Sequence, residues 1–172
     1  MSLKAVNLSA INLSAIIRGL YCNENLCKDK ENMPKLEEQM QILNFPDLGD
    51  ERGNLVVVEG GIAIPFDIKR IFYIYGSDSE VVRGSHANLR SEFVLINVSG
   101  TSKVKVDNGS ESCIVELNKP RMGLYLKNNV WKEMYDFSPD SVLLVLSNEH
   151  YDSEEYIRDY DTYLEMMKKA EE

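Results

Sequence analysis

The stretch Lys103-Val-Lys-Val-Asp-Asn-Gly-Ser-Glu-Ser-Cys-Ile-Val-Glu-Leu117 decides the fold class of this chain. Val104 and Val106 alternate with lysines, as in a β-strand that buries one face. Asp107-Asn-Gly109 then supplies turn residues, and a second β-branched run begins at Ser112. This arrangement predicts a β-hairpin.

Runs of the same kind extend on both sides of the hairpin. They are short, rich in β-branched or aromatic residues, and separated by turn formers such as Gly60-Gly61 and Gly76-Ser77. The predicted strands are Leu55–Glu59, Ile68–Tyr75, Phe93–Val98, Lys103–Val106, Ser112–Leu117, Gly123–Leu126 and Ser141–Leu146. Many short strands without intervening helical patterns predict an all-β sandwich or barrel.

The two ends of the chain differ from this β region. Residues 151–170 place Tyr156, Tyr160, Tyr163 and Met167 at intervals of three and four, which predicts one amphipathic helix, or two short ones, packed on the barrel. In the polar region 1–39 we expect a short helix carrying Leu3, Leu8, Ile11 and Ala15 on one face, and a second helix is expected over Leu36–Leu43. We therefore divide the chain into an N-terminal extension of uncertain order, 1–39, and a β domain, 40–172.

Composition excludes several functional classes. The chain has 172 residues, 44% of them hydrophobic, which suits a single domain with its own core. A net charge of −9 argues against a nucleic-acid partner but permits a small anion held by one or two arginines. No apolar run approaches the ~20 residues of a membrane helix, and no secretory signal is recognisable. The odd cysteine count, without zinc spacing, favours a reducing compartment, so we expect a cytoplasmic location.

His86-Ala-Asn88, followed by Glu92 and Gly100, has the outline of the first cupin motif. In metal-binding cupins two histidines and the glutamate of this motif are ligands, and a later histidine completes the site. Here Asn88 occupies the second position, and His150 lies too far along the chain to be the later ligand. Two potential ligands are fewer than a closed metal site needs, so no metal is predicted.

Five longer stretches carry a more specific resemblance. They are Phe45–Leu55, Ile64–Arg70 with Tyr73, Arg83–Ala87, Gly123–Leu126 leading to Trp131–Phe137, and Tyr151–Asp161. In this order and spacing the chain resembles the sugar-nucleotide 3,4-ketoisomerases of the FdtA and QdtA type, a branch of the WxcM-like cupins. The resemblance runs from about residue 40 to residue 164.

The resemblance implies a homodimeric cupin with an RmlC-like jelly-roll barrel that serves deoxysugar biosynthesis. Such an enzyme moves the carbonyl of a dTDP-4-keto-6-deoxyhexose from C4 to C3, without metal or redox cofactor. A base removes the C3 proton, an enediol forms, and C4 receives a proton. Histidine suits this work because its unperturbed pKa lies near neutrality.

His86 is the candidate base, with Tyr73 and Asn88 as further candidate catalytic residues. The family signature has a second histidine where this chain has Asn88, a Lys or Arg where it has Leu89, and commonly a Gln where it has Phe93. Asparagine hydrogen-bonds a sugar oxygen but accepts no proton in the relevant range. Two hypotheses follow. Either His86 works with another partner such as Tyr73, Tyr75 or a water, or the protein is a non-catalytic cupin that binds a nucleotide sugar.

The candidate substrate-binding residues are Arg83, Tyr75, Trp131 and Glu133. Arg83 precedes His86 and suits a diphosphate through charge-assisted hydrogen bonds; the alternative is an exposed turn arginine. Tyr73 and Tyr75 alternate along one strand and should share a face. If that face is the barrel interior, one of them could donate its hydroxyl to the sugar; otherwise both are packing residues. Trp131 and Glu133 also share strand parity. They could lie together at the pocket mouth, or Trp131 could instead be a packing anchor.

Overall fold

A computed structural model describes residues 34–169. Its strands are β1 (Met40–Asn44), β2 (Arg70–Tyr75), β3 (Arg83–Asn88), β4 (Phe93–Ser99), β5 (Ser102–Asp107), β6 (Ser112–Leu117), β7 (Met122–Leu126), β8 (Trp131–Tyr135), β9 (Val142–Ser147) and β10 (Tyr156–Ile157). One antiparallel sheet has the order β1-β7-β4-β9-β2, and the other has the order β10-β3-β8-β5-β6. The two sheets face each other as a jelly-roll sandwich rather than a closed barrel, and the all-β prediction is confirmed.

The predicted hairpin is present as the β5–β6 pair. Ser102 to Asp107 pair with Leu117 to Ser112, and the Asn108 amide donates to the Glu111 carbonyl across the turn. The prediction of a strand over Leu55–Glu59 is wrong, because that segment forms only an isolated bridge between Asp47 and Val56. Val56 and Val58 are half-buried against the outer face of the first sheet, so their β-branched character serves packing, whereas Val57 is exposed.

The main core lies between the sheets. It contains Leu36, Met40, Phe93, Leu95, Val104, Val106, Leu117, Leu124, Leu126, Val130, Met134, Phe137, Leu143 and Val145. Leu36 is fully buried there, so the packed unit includes residues before the predicted boundary at 40. The predicted helix Leu36–Leu43 is wrong beyond one turn: Leu36–Gln39 is helical, and β1 then pairs with β7. The first predicted helix lies outside the described residues.

The outer faces of the sheets are covered differently. The segment 45–68 packs Phe45, Ile64 and Phe66 on the first sheet. The C-terminal helix, Tyr160–Lys169, packs Tyr163 and Met167 on the second sheet, as the sequence predicted. Residues 153–157 form a 3₁₀ turn and β10 instead of a helix. No helix in the described part of the chain is long and apolar enough to cross a membrane.

Candidate active site

A β-bulge directs His86 into the space between the sheets. Gly84 pairs with Glu133 and His86 with Lys132, so β3 has one more residue than β8 at this point. Gly84 and Ser85 have φ angles of 90° and 49°, which are left-handed values. A Cβ on Gly84 would lie 2.7 Å from the Lys132 carbonyl oxygen, so only glycine fits here. Gly84 is therefore required for the placement of His86.

The His86 ring is held in one tautomer. Its Nδ1 lies 2.9 Å from the Gly84 carbonyl oxygen, which can only accept, so Nδ1 carries the proton and Nε2 is the basic nitrogen. Burial lowers the pKa of His86 to about 4, and the positive charges of Lys132 and Arg158 act in the same direction. The Gly84 hydrogen bond and Glu155 oppose this shift. At neutral pH His86 is therefore an uncharged base.

Asn88 belongs to a buried polar network on the same inner face. Its Oδ1 accepts a 2.6 Å hydrogen bond from Lys132 Nζ, and its Nδ2 donates to Glu155 Oε1 at 3.3 Å. Glu155 also accepts from the amide and hydroxyl of Ser91. Asn88 and Glu155 are fully buried, and Lys132 is 5% exposed. Burial lowers the pKa of Lys132 to about 7, with Glu155 opposing.

Seven residues form a closed ring of contacts between the two sheets at one end of the sandwich; six face the space between the sheets, and Tyr151 lies at its exposed edge. We call it the contact ring: Arg70, Phe72, Phe93, Lys132, His86, Tyr156 and Tyr151. Three links join its first-sheet side: Arg70 to Phe72 at 5.3 Å, Phe72 to Phe93 at 6.4 Å, and Phe93 to Lys132 Nζ at 4.7 Å.

The second sheet and the C-terminal segment complete the contact ring. Lys132 is the strand partner of His86, whose ring lies 4.8 Å from that of Tyr156. Tyr156 contacts Tyr151 at 5.8 Å, and Tyr151 contacts the Arg70 guanidinium at 5.6 Å. Cations, aromatic rings and an uncharged base thus surround one region, which suits recognition of an anionic, ring-containing ligand.

Arg70 is the least satisfied member of the contact ring. Its Nε and Nη2 are buried and have no hydrogen-bond partner among the described residues. A buried donor without a partner costs about 1–3 kcal/mol, more when charged, so a guanidinium in this state is suited to an anionic ligand. Arg70 was not among the candidate site residues, although it shares strand parity with Phe72 and so faces the same side of β2.

The structure does not bring Tyr73 and Tyr75 to His86. As predicted, the two share a face, with ring centroids 5.8 Å apart. That face is the outer one, because Ile74 between them packs against the main core. The tyrosines are 62% and 68% exposed. The prediction that either acts beside His86 is therefore wrong within one chain.

Trp131 and Glu133 also lie on an outer face. Their shared parity is as predicted, and Trp131 Nε1 donates to Glu133 Oε1 at 3.1 Å. Lys132 between them points inward, so both point away from His86. Trp131 is 4% exposed and packs against Tyr160 and Tyr163, which makes it a packing anchor. The structure therefore does not bring this pair to His86, and a place at a pocket mouth stays a prediction.

Other candidates are placed as follows. Arg83 is exposed at the start of β3, three residues from His86, and its Nε donates to Ser77 Oγ at 2.9 Å. Glu92 accepts a hydrogen bond from Tyr125, a residue of the cluster on the outer face of the first sheet.

Within residues 34–169, no three His, Cys, Asp or Glu side chains converge as a metal-ligand set. A separate hollow of about 320 Å³ lies in the loop 48–55, away from these groups.

Comparison with known proteins gives a consistent family. The family model FdtA, described as "WxcM-like, C-terminal", matches residues 38–168. A TDP-4-oxo-6-deoxy-alpha-D-glucose-3,4-oxoisomerase from Aneurinibacillus thermoaerophilus is 40% identical over 129 residues, which are 75% of this chain and 93% of that protein.

Solved structures agree with this match. A His-to-Asn variant of the 3,4-ketoisomerase QdtA from Thermoanaerobacterium thermosaccharolyticum, in complex with TDP-4-keto-6-deoxyglucose, is 43% identical with a TM-score of 0.74. The aligned part covers 76% of this chain and 95% of QdtA. WlaRA from Campylobacter jejuni, a TDP-fucose-3,4-ketoisomerase, is 41% identical with a TM-score of 0.71, covering 74% of this chain and 95% of WlaRA.

Proposed function

The chain belongs to the FdtA family of WxcM-like proteins, and from this premise we propose that it is a 3,4-ketoisomerase of a dTDP-linked 4-keto-6-deoxyhexose. The observation that carries the proposal is the state of His86. This histidine is uncharged, has Nε2 free to accept a proton, and lies on the inner face among cations and aromatic rings. The similar enzymes named above act on TDP-linked sugars.

The reaction uses these groups without a change in total charge. His86 Nε2 takes the proton from C3, the C3–H electron pair becomes the C3–C4 double bond, and the C4 oxygen becomes enediolate. The protonated His86 then supplies a proton to C4, and the C3 hydroxyl proton passes to the C4 oxygen, directly or through a water, as the C3 carbonyl forms.

Two arginines support recognition of the diphosphate. Arg70 offers two unpartnered buried donors in the contact ring, and Arg83 adds a second positive charge at the edge of β3. Guanidinium groups bind phosphate oxygens in pairs, so both suit a nucleotide diphosphate. Tyr151 and Tyr156 supply aromatic surface between Arg70 and His86.

The direct test is proton NMR of the purified protein with dTDP-4-keto-6-deoxyglucose in deuterium oxide. An isomerase exchanges the C3 proton for deuterium and accumulates a 3-keto product. Binding of the sugar nucleotide in calorimetry, without exchange, would instead identify a non-catalytic binding module. An Asn88→His variant measured in parallel then shows whether a second histidine restores turnover.

A homodimer and a cytoplasmic location are part of the same proposal. The exposed strip Ile71, Tyr73 and Tyr75 on the edge strand β2 supports a dimer, because an edge strand can pair with a second copy. Light scattering after gel filtration should give twice the chain mass. A Tyr73→Glu/Tyr75→Glu variant should shift towards the monomer if β2 is the interface, whereas an unchanged mass would place the interface elsewhere.

A further inference from the structure

Two of the three departures from the signature that the resemblance implies lie together in space, whereas the third, Leu89, is exposed. Asn88 and Phe93 both contact the same side chain, that of Lys132. Asn88 Oδ1 accepts from its Nζ at 2.6 Å, and the Phe93 ring lies 4.7 Å from that nitrogen. A family histidine and glutamine have thus been replaced by an acceptor and an aromatic face, which are the two group types that hold an ammonium ion.

Lys132 lies where a charge acts directly on His86. The two are partners across the β3–β8 pair and share the inner face. Asn88 bridges Lys132 to Glu155, so the ammonium is anchored on one side while the carboxylate is engaged by Ser91 and the Arg90 amide. The buried surroundings screen this charge weakly.

We propose that Lys132, held by Asn88 and Phe93, replaces the second histidine as the partner of His86, and that it keeps His86 uncharged in mildly acidic conditions. Lys132 is a positioning residue in this proposal: it acts through His86. The other charged groups facing His86 are Glu155 and Arg158, from the C-terminal segment. Tyr156 covers the ring, and the Gly84 carbonyl fixes Nδ1.

The test measures His86 directly and needs no substrate. The chain has two histidines, so histidine-labelled protein gives two imidazole signals, which a His150→Gln variant assigns. In the wild type, His86 should titrate with a midpoint near 4. In Lys132→Met the midpoint should rise towards 6.5, the ordinary histidine value, because a neighbouring positive charge is removed.

Three further variants make the result specific. Lys103→Met removes a lysine from the outer face of β5, where it pairs with exposed Asp136, and should leave His86 unchanged. Lys132→Arg keeps the charge and should keep the low midpoint. Asn88→Ala releases the ammonium without removing it and should raise the midpoint less than Lys132→Met. If Lys132→Met does not fold, Asn88→Ala decides: an unchanged midpoint in either folded variant overturns the proposal.

A measurement of isomerase activity extends the test, and it rests on the proposed function. If the protein is an isomerase, kcat/KM of Lys132→Met should fall below the wild-type value on acidification, because His86 becomes protonated. Each unit by which the midpoint exceeds the assay pH reduces the uncharged fraction about tenfold. A shifted midpoint in a protein without isomerase activity would refute the function and leave the Lys132–His86 coupling standing. If kcat/KM decreased with falling pH in the same way in wild type and Lys132→Met, the positioning role of Lys132 would be contradicted.

Discussion

The strand pair β3–β8 has two faces with opposite properties. The inner face carries His86, Asn88 and Lys132, all polar, and Asn88 links Lys132 to buried Glu155. The outer face carries Ala87 and Trp131, which pack under the C-terminal helix. Neighbouring residues thus serve different purposes, and Trp131, Lys132 and Glu133 alternate between packing and the site.

This difference shows what each face requires of the sequence. The outer face needs volume and apolar surface, so several residue types would serve. The inner face needs charges at defined positions within a weakly screened interior, where removing one group changes the protonation of the next. Substitutions on the inner face should therefore change chemistry, and those on the outer face should change stability.

The largest effect is expected from His86→Gln. Removing the base should reduce isomerisation by roughly 10²–10⁴-fold, because a positioned general base contributes that much. Deuterium exchange at C3 measures the loss. The matched control is His150→Gln, which changes the other histidine and should retain full activity. Exchange that survives in His86→Gln would show that another group removes the proton.

Trp131→Ala should act through stability. Truncating a buried aromatic residue costs about 3–5 kcal/mol, and here it removes contacts with Tyr160 and Tyr163. Urea unfolding measures the decrease, and kcat at low temperature should stay close to the wild-type value. A large fall in kcat with unchanged stability would contradict the separation of the two faces.

Arg70→Met should weaken ligand binding without destabilising the fold. A hydrogen bond to a charged group contributes about 1.5–3 kcal/mol, so dTDP should bind roughly 10- to 100-fold more weakly in calorimetry. The free energy of unfolding should not decrease, because the variant removes buried donors that have no partner. Arg121→Met, at the opposite end of the first sheet beside Met122, is the control. Unchanged affinity in Arg70→Met would exclude it from the anion site.

The smallest effect is expected from Tyr73→Phe. The Tyr73 side chain is largely exposed on the outer face, so losing its hydroxyl should change stability by less than about 0.5 kcal/mol. Its kcat and KM should equal those of the wild type. A clear fall in kcat would show that Tyr73 reaches a site from outside its own chain, and the comparison of faces would then have to include a second copy.

The strands β2, β4, β5, β6, β7 and β9 were predictable from the sequence, and His86 was selected as a candidate base, because these signals are local. Asp107-Asn-Gly109 specifies a turn by its own chemistry, and His86 belongs to a motif. Parity also correctly paired Tyr73 with Tyr75. It could not say which face of β2 is the inner one, because β2 is an edge strand with apolar residues on both faces.

The missed residues depend on contacts between distant parts of the chain. Lys132 reads as a surface lysine in Trp-Lys-Glu-Met, and only its parity with Met134 hinted that it points inward. The surroundings of Arg70 include the ring of Tyr151, and Asn88 hydrogen-bonds to Glu155, 67 positions later in the chain. Such partners are set by the sheet order, which no local pattern contains.

The contact ring closes through Tyr151 and Tyr156, and Glu155 beside them anchors the Asn88 network. These residues follow β9 and are therefore translated when the first sheet has all its strands and the second lacks only β10. A nascent chain that has released β9 possesses a hydrophobic core but no complete site. The groups of the contact ring therefore come together only after most of the hydrophobic core has been synthesised.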